Sequence, residues 1–518
     1  MFGSAAAAAG DQRTSETGVG LSSELEAHSE RARAVDNDQS IYRDRNLSGS
    51  GSETVIVDWY GPTDPDDPKN WPGWKKSIVY FVINYTSLVV YMATSLYAPA
   101  QTEVQRVFQT STFVSSLGFA IYILGYGIGP MVWSPLSEMP AVGRNIPYVG
   151  SLLVFVIISV PAALADSVAA LIVLRFLQGF FGSPVLSTGA ASLSDISREH
   201  QRPYALYSWA IFSLAGPSVA MVLAGYTVPL LGWRWSLWEI VLTTSPALVL
   251  LLFLPETSET KILYHRASKI RALTGKSHYQ SAAEIKAQHS STTQRFYQSL
   301  VIPWKINVLD PSIMFTSVYS GLIYAIFYSF FEFFPLVYGD IYGMDQGQIG
   351  LVFCANAIAV ILVGFPYFAY VHFVVNACHR KGIRMSPERR LLPAVFASAF
   401  LPAGIFLFAW TSRSTIHWIV PTIGAAMTTG GFAILLQSIF VYIALAYPQY
   451  AASLFGGNSF VKAVVAFAGV LWSHPLYEKL GLAEGISLLG ALCVVCTSGI
   501  FILYWRGEKL RSRSKFAT

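Results

Sequence analysis

The sequence predicts an all-α integral membrane protein with twelve transmembrane helices in two six-helix halves. Three observations support this prediction. The 518 residues are 53% hydrophobic and only 13% charged, about half the charged fraction of an ordinary soluble domain. Apolar runs of membrane-spanning length recur from Ser77 onward. Lys and Arg are concentrated in alternate connecting segments, as expected for a chain that crosses a bilayer repeatedly.

Each apolar run is long enough to cross the bilayer, because about 20 helical residues at about 1.5 Å each span the roughly 30 Å hydrocarbon core. A polar segment, 255–310, separates the two halves, 77–254 and 311–505, and is predicted to be a cytosolic loop. The spans are predicted near 77–99, 112–133, 146–165, 168–194, 203–226, 235–254, 311–338, 346–372, 389–410, 416–446, 449–475 and 484–505.

The charge distribution predicts that both termini are cytosolic. With the N-terminus inside, the outer loops carry only Arg106, Arg234, Arg413 and Lys479, and most of the remaining Lys and Arg fall in cytosolic segments. This is the positive-inside pattern. It accounts for the net charge of +5 without a nucleic-acid partner. Residues 1–76 are expected to form a largely disordered cytosolic tail, without the apolar core of a signal peptide, and 506–518 a short cytosolic tail.

No enzyme motif is evident, and no cofactor or metal is expected. The nearest approach to a phosphate-binding loop is 274–277 (TGKS), but Ile270 occupies the position of its first glycine, so an ATP-driven pump is excluded. The glycines of GYGIGP (125–130) follow no strand and suit close helix packing instead. Cys493 and Cys496 form a CxxC inside an apolar run, which indicates packing more than metal or redox chemistry.

A few polar side chains inside the spans are costly enough to indicate function. Arg175, with Gln178 one turn later, and Glu332 lie within runs otherwise suited to hydrocarbon. Ionisable groups placed there are functional by default. The loop 134–148 (SPLSEMPAVGRNIPY) holds Ser137, Glu138, Gly143 and Arg144 at a membrane edge, where a charge latch and an ordinary solvated turn are both open.

Several longer motifs place the chain in a family. They are DPDDPKNWP before the first span, PLSEMPAVGR after the second, FFEFFPLVY in the seventh, SPERRLLPA before the ninth and YAASLFGGNSFVKAVVA in the eleventh. With these motifs the chain resembles the major facilitator superfamily, specifically the fungal twelve-span drug:proton antiporter branch that includes multidrug and benomyl/methotrexate resistance proteins. The resemblance implies the major facilitator fold, with a substrate site near the midplane between the two halves.

The resemblance also implies residue roles. Ser137, Glu138, Gly143 and Arg144 match a cytosolic gate in which Glu138 and Arg144 form a latch. Arg175 and Gln178 match the fourth-span motif for proton coupling. Gly216, Pro217 and Gly225 match the antiporter motif of the fifth span, although Ala220 and Met221 stand where the motif has Gly-Pro, which leaves strict antiport in question.

The coupling step and the substrate cavity are assigned to further side chains. Glu332 is the candidate ionic partner of Arg175 and completes the proton-coupling set. The alternative is a packing arginine bonded to backbone carbonyls. The substrate cavity is predicted to be lined by aromatic and polar residues of both halves: Tyr126, Phe212, Tyr328, Phe331, Asn356 and Lys462.

The predicted function is a monomeric plasma-membrane efflux pump. It exchanges protons for hydrophobic or amphipathic small molecules such as drugs, toxins or fungal secondary metabolites, by alternating access within the lipid bilayer. An importer or polyamine carrier of the same fold is the first alternative. A non-transporting membrane sensor or a membrane-embedded enzyme is a more remote one.

Overall fold

A computed structural model describes residues 54–288, 301, 304–383, 385–447, 451–512 and 514. The predicted disordered tail falls mainly on 1–53, which lie outside the described residues. Within them, twelve helical segments are long and apolar enough to cross a membrane, so the predicted all-helical fold with twelve spans is confirmed. From first to twelfth they are Gly73–Phe108, Thr112–Glu138, Asn145–Ala163, Val168–Asp195, Arg202–Leu231, Trp233–Leu252, Pro311–Ile341, Gln346–Arg380, Glu388–Thr411, Ile419–Ala446, Leu454–Leu480 and Leu482–Arg511.

Several spans are composites of shorter helices. In the first, the α-helix Gly73–Ser95 ends before a 3-10 turn at Ala98–Ala100 and a second helix, Gln101–Phe108. The seventh continues from Pro311–Phe334 into a π-helix, Pro335–Ile341, and the eighth from Gln346–Tyr370 through a π-turn, Val371–Val375, to Asn376–Arg380. The ninth opens with a 3-10 turn, Glu388–Leu391, before Leu392–Thr411. The helix of the eleventh span is Ala451–Leu480.

Polar side chains set where several spans begin. Ser111 and Ser167 accept hydrogen bonds from the amides of Val114 and Ala170 at the starts of the second and fourth spans. Asp310 caps the seventh in the same way, and Asp345 forms a capping box with Gln348 at the eighth. These caps satisfy amides that a helix cannot pair internally and that hydrocarbon would leave unpaired.

The two six-helix halves meet through spans that contain glycine. The second span packs against the eleventh, and the fifth against the eighth. A β-carbon at Gly127 would overlap that of Ala463, and one at Gly225 would lie 2.5 Å from the carbonyl oxygen of Gln346. Backbones of the two halves therefore approach as closely as glycine allows, in the manner of small-residue contacts in membranes.

Among the described residues, 54–60 and 262–288 form a separate small unit. Its described part has two short parallel strands, β1 (Val55–Val57) and β2 (Tyr279–Ser281), with Val55 opposite Tyr279. The helix Ala282–Gln288 follows β2, and Glu259–Thr274 precedes it. Arg271 and Glu284 form a 2.8 Å ion pair within the unit. Within its described residues, the polar segment 255–310, predicted as a loop, thus contains these two helices and β2, and 304–309 are helical as well.

Candidate functional site

Arg144 forms a charged cluster at the end of the bundle where the first span begins. We call this the basic end, made by residues 68–76, 134–145, 195–202 and 253–261. Arg144 Nε lies 3.4 Å from Asp195 Oδ2, and Nη1 donates to Ser137 Oγ at 2.9 Å. Burial alone would lower the pKa of the Arg144 guanidinium, but Asp195 raises it above its ordinary value, so the side chain stays charged. The cluster ties the second, third and fourth spans together.

A second carboxylate, Glu256, holds the backbone of the same loop. Its Oε1 accepts from the amide of Arg144 at 3.1 Å and its Oε2 from that of Asn145 at 3.4 Å, and Lys261 Nζ lies 3.7 Å away. A carboxylate at a helix N-terminus is favoured by the exposed amides there. Gly143, at φ +70°, brings the loop against Glu256, and a β-carbon on it would lie 2.5 Å from Glu256 Oε2.

Of the predicted gate residues, Ser137, Gly143 and Arg144 lie together in this loop, and the direct ion pair of Arg144 is with Asp195 at the end of the fourth span. Glu138 is exposed and forms no direct ion pair with Arg144, but the two charges interact electrostatically. The latch between Glu138 and Arg144 therefore stays a prediction. Asp195 and Glu256 were not predicted from the sequence, because each approaches the loop only in the folded chain, although an acidic residue at the end of an apolar span was a usable signal.

Arg175 in the fourth span is completely buried, and four of the five N–H groups of its guanidinium donate hydrogen bonds. Its Nη1 donates to the carbonyl of Ala93 at 2.9 Å, its Nη2 to that of Thr94 at 3.0 Å and its Nε to that of Gly118 at 3.3 Å. Gln178 Oε1 accepts a further bond from Nη1 at 3.3 Å. The guanidinium also stacks over the rings of Tyr97 and Tyr122, at 5.2 and 4.6 Å.

These carbonyls explain why an arginine occupies this span. The first α-helix ends at Ser95, and the last four carbonyls of a helix have no partner within it. Arg175 pairs two of them and places a positive charge at the negative end of the helix dipole. Arg175 and Glu332, which are both described, form no ion pair with each other, because each side chain bonds to other groups. The carbonyl contacts of Arg175 match the packing alternative, and its role in proton coupling stays a prediction.

Glu332 in the seventh span instead joins the two halves at the opposite end of the bundle. We call this the far end, made by residues 96–112, 164–168, 231–233 and 341–346 with the adjoining helix turns. Gln101 Nε2 donates to Glu332 Oε1 at 3.1 Å. Ser116 Oγ donates to Gln101 Oε1 at 2.9 Å and lies 3.3 Å from Glu332 Oε2. One hydroxyl hydrogen shared between two acceptors bonds weakly to each, so a proton on Glu332 would strengthen the network by giving every contact its own hydrogen.

A cluster of tyrosines joins the halves nearer the middle of the spans. Tyr126 of the second span donates to the hydroxyl of Tyr328 at 3.2 Å, and the hydroxyls of Tyr91 and Tyr324 lie 3.4 Å apart. Phe331 adjoins Tyr328, with ring centroids 6.1 Å apart. Three of the four predicted cavity aromatics are thus brought together. The sequence signal for Tyr324 was present, because it lies four residues before Tyr328 on one helical face.

Phe212, the fourth predicted aromatic, is not part of this cluster. Its side chain is 38% exposed, and no ring contact joins it to another aromatic within the described residues. Its place in the substrate cavity stays a prediction, since helix rotation cannot be read from a span that is apolar on all sides.

The two polar residues predicted for the cavity lie in the second half. Asn356 of the eighth span accepts a hydrogen bond from Thr429 at 3.1 Å, while its Nδ2 has no partner among the described residues. Lys462 of the eleventh span is 5% exposed, with Nζ 4.8 Å from the ring centre of Tyr324 and 4.6 Å from that of Phe440. Cation–π contacts of this kind contribute about 2 kcal/mol when desolvated.

The predicted antiporter motif of the fifth span forms packing contacts on two sides. A β-carbon at Gly216 would lie 2.5 Å from the carbonyl of Leu88 in the first span, whereas Gly225 faces the eighth span. Pro217 is buried within the continuous helix Arg202–Leu231. Met221 stands where the motif has proline. Its carbonyl oxygen lies so close to Gly350 that a β-carbon on Gly350 would overlap it. The motif therefore packs the fifth span against the first span of its own half and against the eighth span of the other half.

Residues 84–470 match the sequence profile of the Major Facilitator Superfamily. The chain is 49% identical over 464 residues to the MFS-type transporter pyvG of Aspergillus violaceofuscus, covering 90% of this chain and 86% of that one. It is 34% identical over 507 residues to the cycloheximide resistance protein of Candida maltosa, covering 96% and 91%.

Among solved structures, the partially occluded inward-open xylose transporter XylE from E. coli has a TM-score of 0.57 at 14% sequence identity. The match covers 83% of this chain and 98% of that one. A likeness at this level of identity concerns the arrangement of the helices alone.

Proposed function

Because this chain belongs to the Major Facilitator Superfamily, in its fungal drug-efflux branch, we propose that it exports a hydrophobic or amphipathic small molecule in exchange for protons. Drugs, toxins and secondary metabolites are the candidate substrates. Relatives named as a cycloheximide resistance protein and as an efflux pump, radE of Floropilus chiversii, support export over import. The protein lies in the plasma membrane with its basic end toward the cytosol, as the positive-inside rule predicts. It acts as a monomer.

The observation that carries the proposal is the network of Glu332, Gln101 and Ser116. It is an acid–amide–hydroxyl bridge between the two halves, and it closes the far end. Alternating access requires the halves to separate at one end at a time. A carboxyl group whose proton completes a bridge between the halves couples that separation to proton binding.

The proton sets the direction of the cycle. With Glu332 protonated, its Oε2–H donates to Ser116, Ser116 donates to Gln101, and Gln101 donates back to Glu332, so the far end is closed. When Glu332 loses its proton, one oxygen–oxygen contact is left without a hydrogen, and the bridge weakens. A proton taken from outside thus closes the far end, and its release to the cytosol favours reopening with substrate bound.

The proton gradient supplies enough energy for useful export. One inward proton carries about 2.3 kcal/mol at roughly 100 mV, and a pH difference of about two units adds roughly 2.7 kcal/mol. The sum, about 5 kcal/mol, supports a gradient of several thousandfold for a neutral substrate.

A polyamine importer fits the residues less well. Polycations are recognised by carboxylates, whereas the charged side chain beside the tyrosine cluster is the ammonium of Lys462. Like charges repel strongly in a medium of low dielectric constant.

Export is tested in cells lacking their own efflux pumps, loaded with the neutral lipophilic dye Nile red. Expression of the chain should lower dye accumulation, and a protonophore should abolish the difference. Cells that express the gate variant Arg144→Glu at the same surface level are the control for effects of membrane-protein expression itself on dye accumulation. Efflux that survives the protonophore but stops when ATP is depleted at a constant gradient would refute proton exchange.

A further inference from the structure

Lys462 is a buried lysine for which the described part of the chain supplies no acidic partner. It is 5% exposed, and its Nζ faces the rings of Tyr324 and Phe440. No hydrogen bond or salt bridge to Nζ is found among residues 54–288, 304–383, 385–447 and 454–512. Arg175, the other cation deep in the spans, has four acceptors, so the two residues differ in kind.

The buried acidic side chains of the second half are bonded to other partners. Glu332 is engaged by Gln101 and Ser116, Asp310 accepts from the hydroxyl of Tyr447, and Glu388 pairs with Arg511. An ammonium withdrawn from water is stable only when an anion or several acceptors replace its hydration shell. Two ring faces replace it only in part.

Lys462 also lies beside residues through which the two halves contact each other. The next residue, Ala463, contacts Gly127 of the second span. Tyr324, below the ammonium, shares its hydroxyl contact with Tyr91 of the first span. On the tenth span, one turn before Phe440, Gln437 Nε2 is a buried donor without an acceptor among the described residues. The second half therefore presents a cation and an unpaired donor on spans that border the tyrosine cluster.

We propose that Lys462 binds an acidic group, a carboxylate or an ionised phenol, carried by a planar aromatic substrate. This inference rests on the proposed function and names the substrate class for the same site. Tyr324 and Phe440 pack against the aromatic body while Nζ donates a charge-assisted hydrogen bond to the acidic group, the strongest kind available to a lysine. An inside-negative membrane potential expels an anion, so export of this class gains driving force.

The test compares two dyes with one xanthene skeleton and opposite charge: fluorescein, an anion, and rhodamine 123, a cation. Binding to the purified full-length protein in detergent is followed by fluorescence anisotropy at neutral pH. Wild type should bind fluorescein more tightly than rhodamine 123. Lys462→Met should weaken fluorescein binding by about tenfold or more and leave rhodamine 123 binding unchanged or tighter. Lys462→Arg should keep most of the fluorescein affinity.

Lys479→Met, at an exposed lysine of the same span, is the matched control and should bind both dyes as wild type does. The inference is overturned if wild type prefers rhodamine 123 or binds neither dye, or if Lys462→Met weakens both dyes equally. The comparison of the two dyes on the wild-type protein tests the inference even if a variant fails to fold. Binding is measured without transport, so a failure here leaves Nile red efflux, and with it the proposed function, standing.

Discussion

The guanidinium of Arg175 in the fourth span donates to the backbone carbonyl of Thr94 in the first span at 3.0 Å. That carbonyl belongs to the last turn of a helix ending at Ser95. The fourth span thereby caps the first where its helix breaks before Pro99. A charged residue predicted to serve proton coupling thus also stabilises the end of a broken helix, and its part in coupling, like that of Glu332, stays a prediction.

Arg175→Ala should destabilise the folded protein by about 3 kcal/mol or more, because three buried carbonyls each lose a partner worth about 1–3 kcal/mol. Arg175→Lys should be intermediate, since one ammonium cannot reproduce the planar fork. Thermal unfolding in detergent measures both, with Val173→Ala, at an exposed site on the same span, as control. A stable alanine variant that has lost only its proton coupling would favour the coupling role instead.

Asp195→Asn should reduce efflux about fivefold, the effect of losing an ion pair worth roughly 1 kcal/mol at the basic end. Glu138→Gln should behave nearly as wild type, because Glu138 lies outside ion-pair distance of Arg144. Initial efflux rates, normalised to surface protein, distinguish these residues, and the exchange Arg144→Asp with Asp195→Arg should restore part of the activity. Equal losses of efflux rate in Glu138→Gln and Asp195→Asn would show that Glu138 contributes to the latch as much as Asp195 does.

Glu332→Gln should retain substrate binding but lose gradient-driven export. The amide reproduces the protonated acid, accepting from Gln101 and donating toward Ser116, so the far end stays closed without a proton to release. Transport of Nile red in proteoliposomes with and without an imposed pH gradient measures this coupling. Glu484→Gln, at an exposed carboxylate beginning the twelfth span, is the control. A variant still driven by the gradient would remove Glu332 from the coupling step.

Gly350→Ala should lower the free energy of unfolding by about 1–3 kcal/mol, because its methyl group would overlap the carbonyl oxygen of Met221 and overpack the contact between the fifth and eighth spans. Gly150→Ala, with no heavy atom within 4 Å of the added carbon, should be neutral or more stable by about 0.5–1 kcal/mol. The midpoint temperatures of the two variants are compared in the same detergent. Identical midpoint temperatures for the two variants would show that the contact between Gly350 and Met221 accommodates a methyl group without loss of stability.

The helical architecture was predictable because it depends on local properties. Each span is recognisable as a run of about 20 apolar residues, the length that crosses the hydrocarbon core. It must be helical because a backbone in hydrocarbon has to satisfy its own hydrogen bonds. Ser137, Gly143 and Arg144 were found in the same way, from a short loop at a predicted membrane edge. The aromatic face of the seventh span was readable too, because Tyr324, Tyr328 and Phe331 recur at helical spacing.

The sequence by itself therefore determined the number, length and order of the spans, and which ionisable residues were too costly to be incidental. Their partners were decided only by the tertiary structure. Arg175 meets Thr94 across 81 positions of the chain, and Glu332 meets Gln101 across 231. Such pairs depend on how each helix is rotated, and a span that is apolar on every side carries no periodic signal of its rotation. Packing between backbones, set by residues such as Gly225 and Gly350, fixes that rotation and with it which charge faces which.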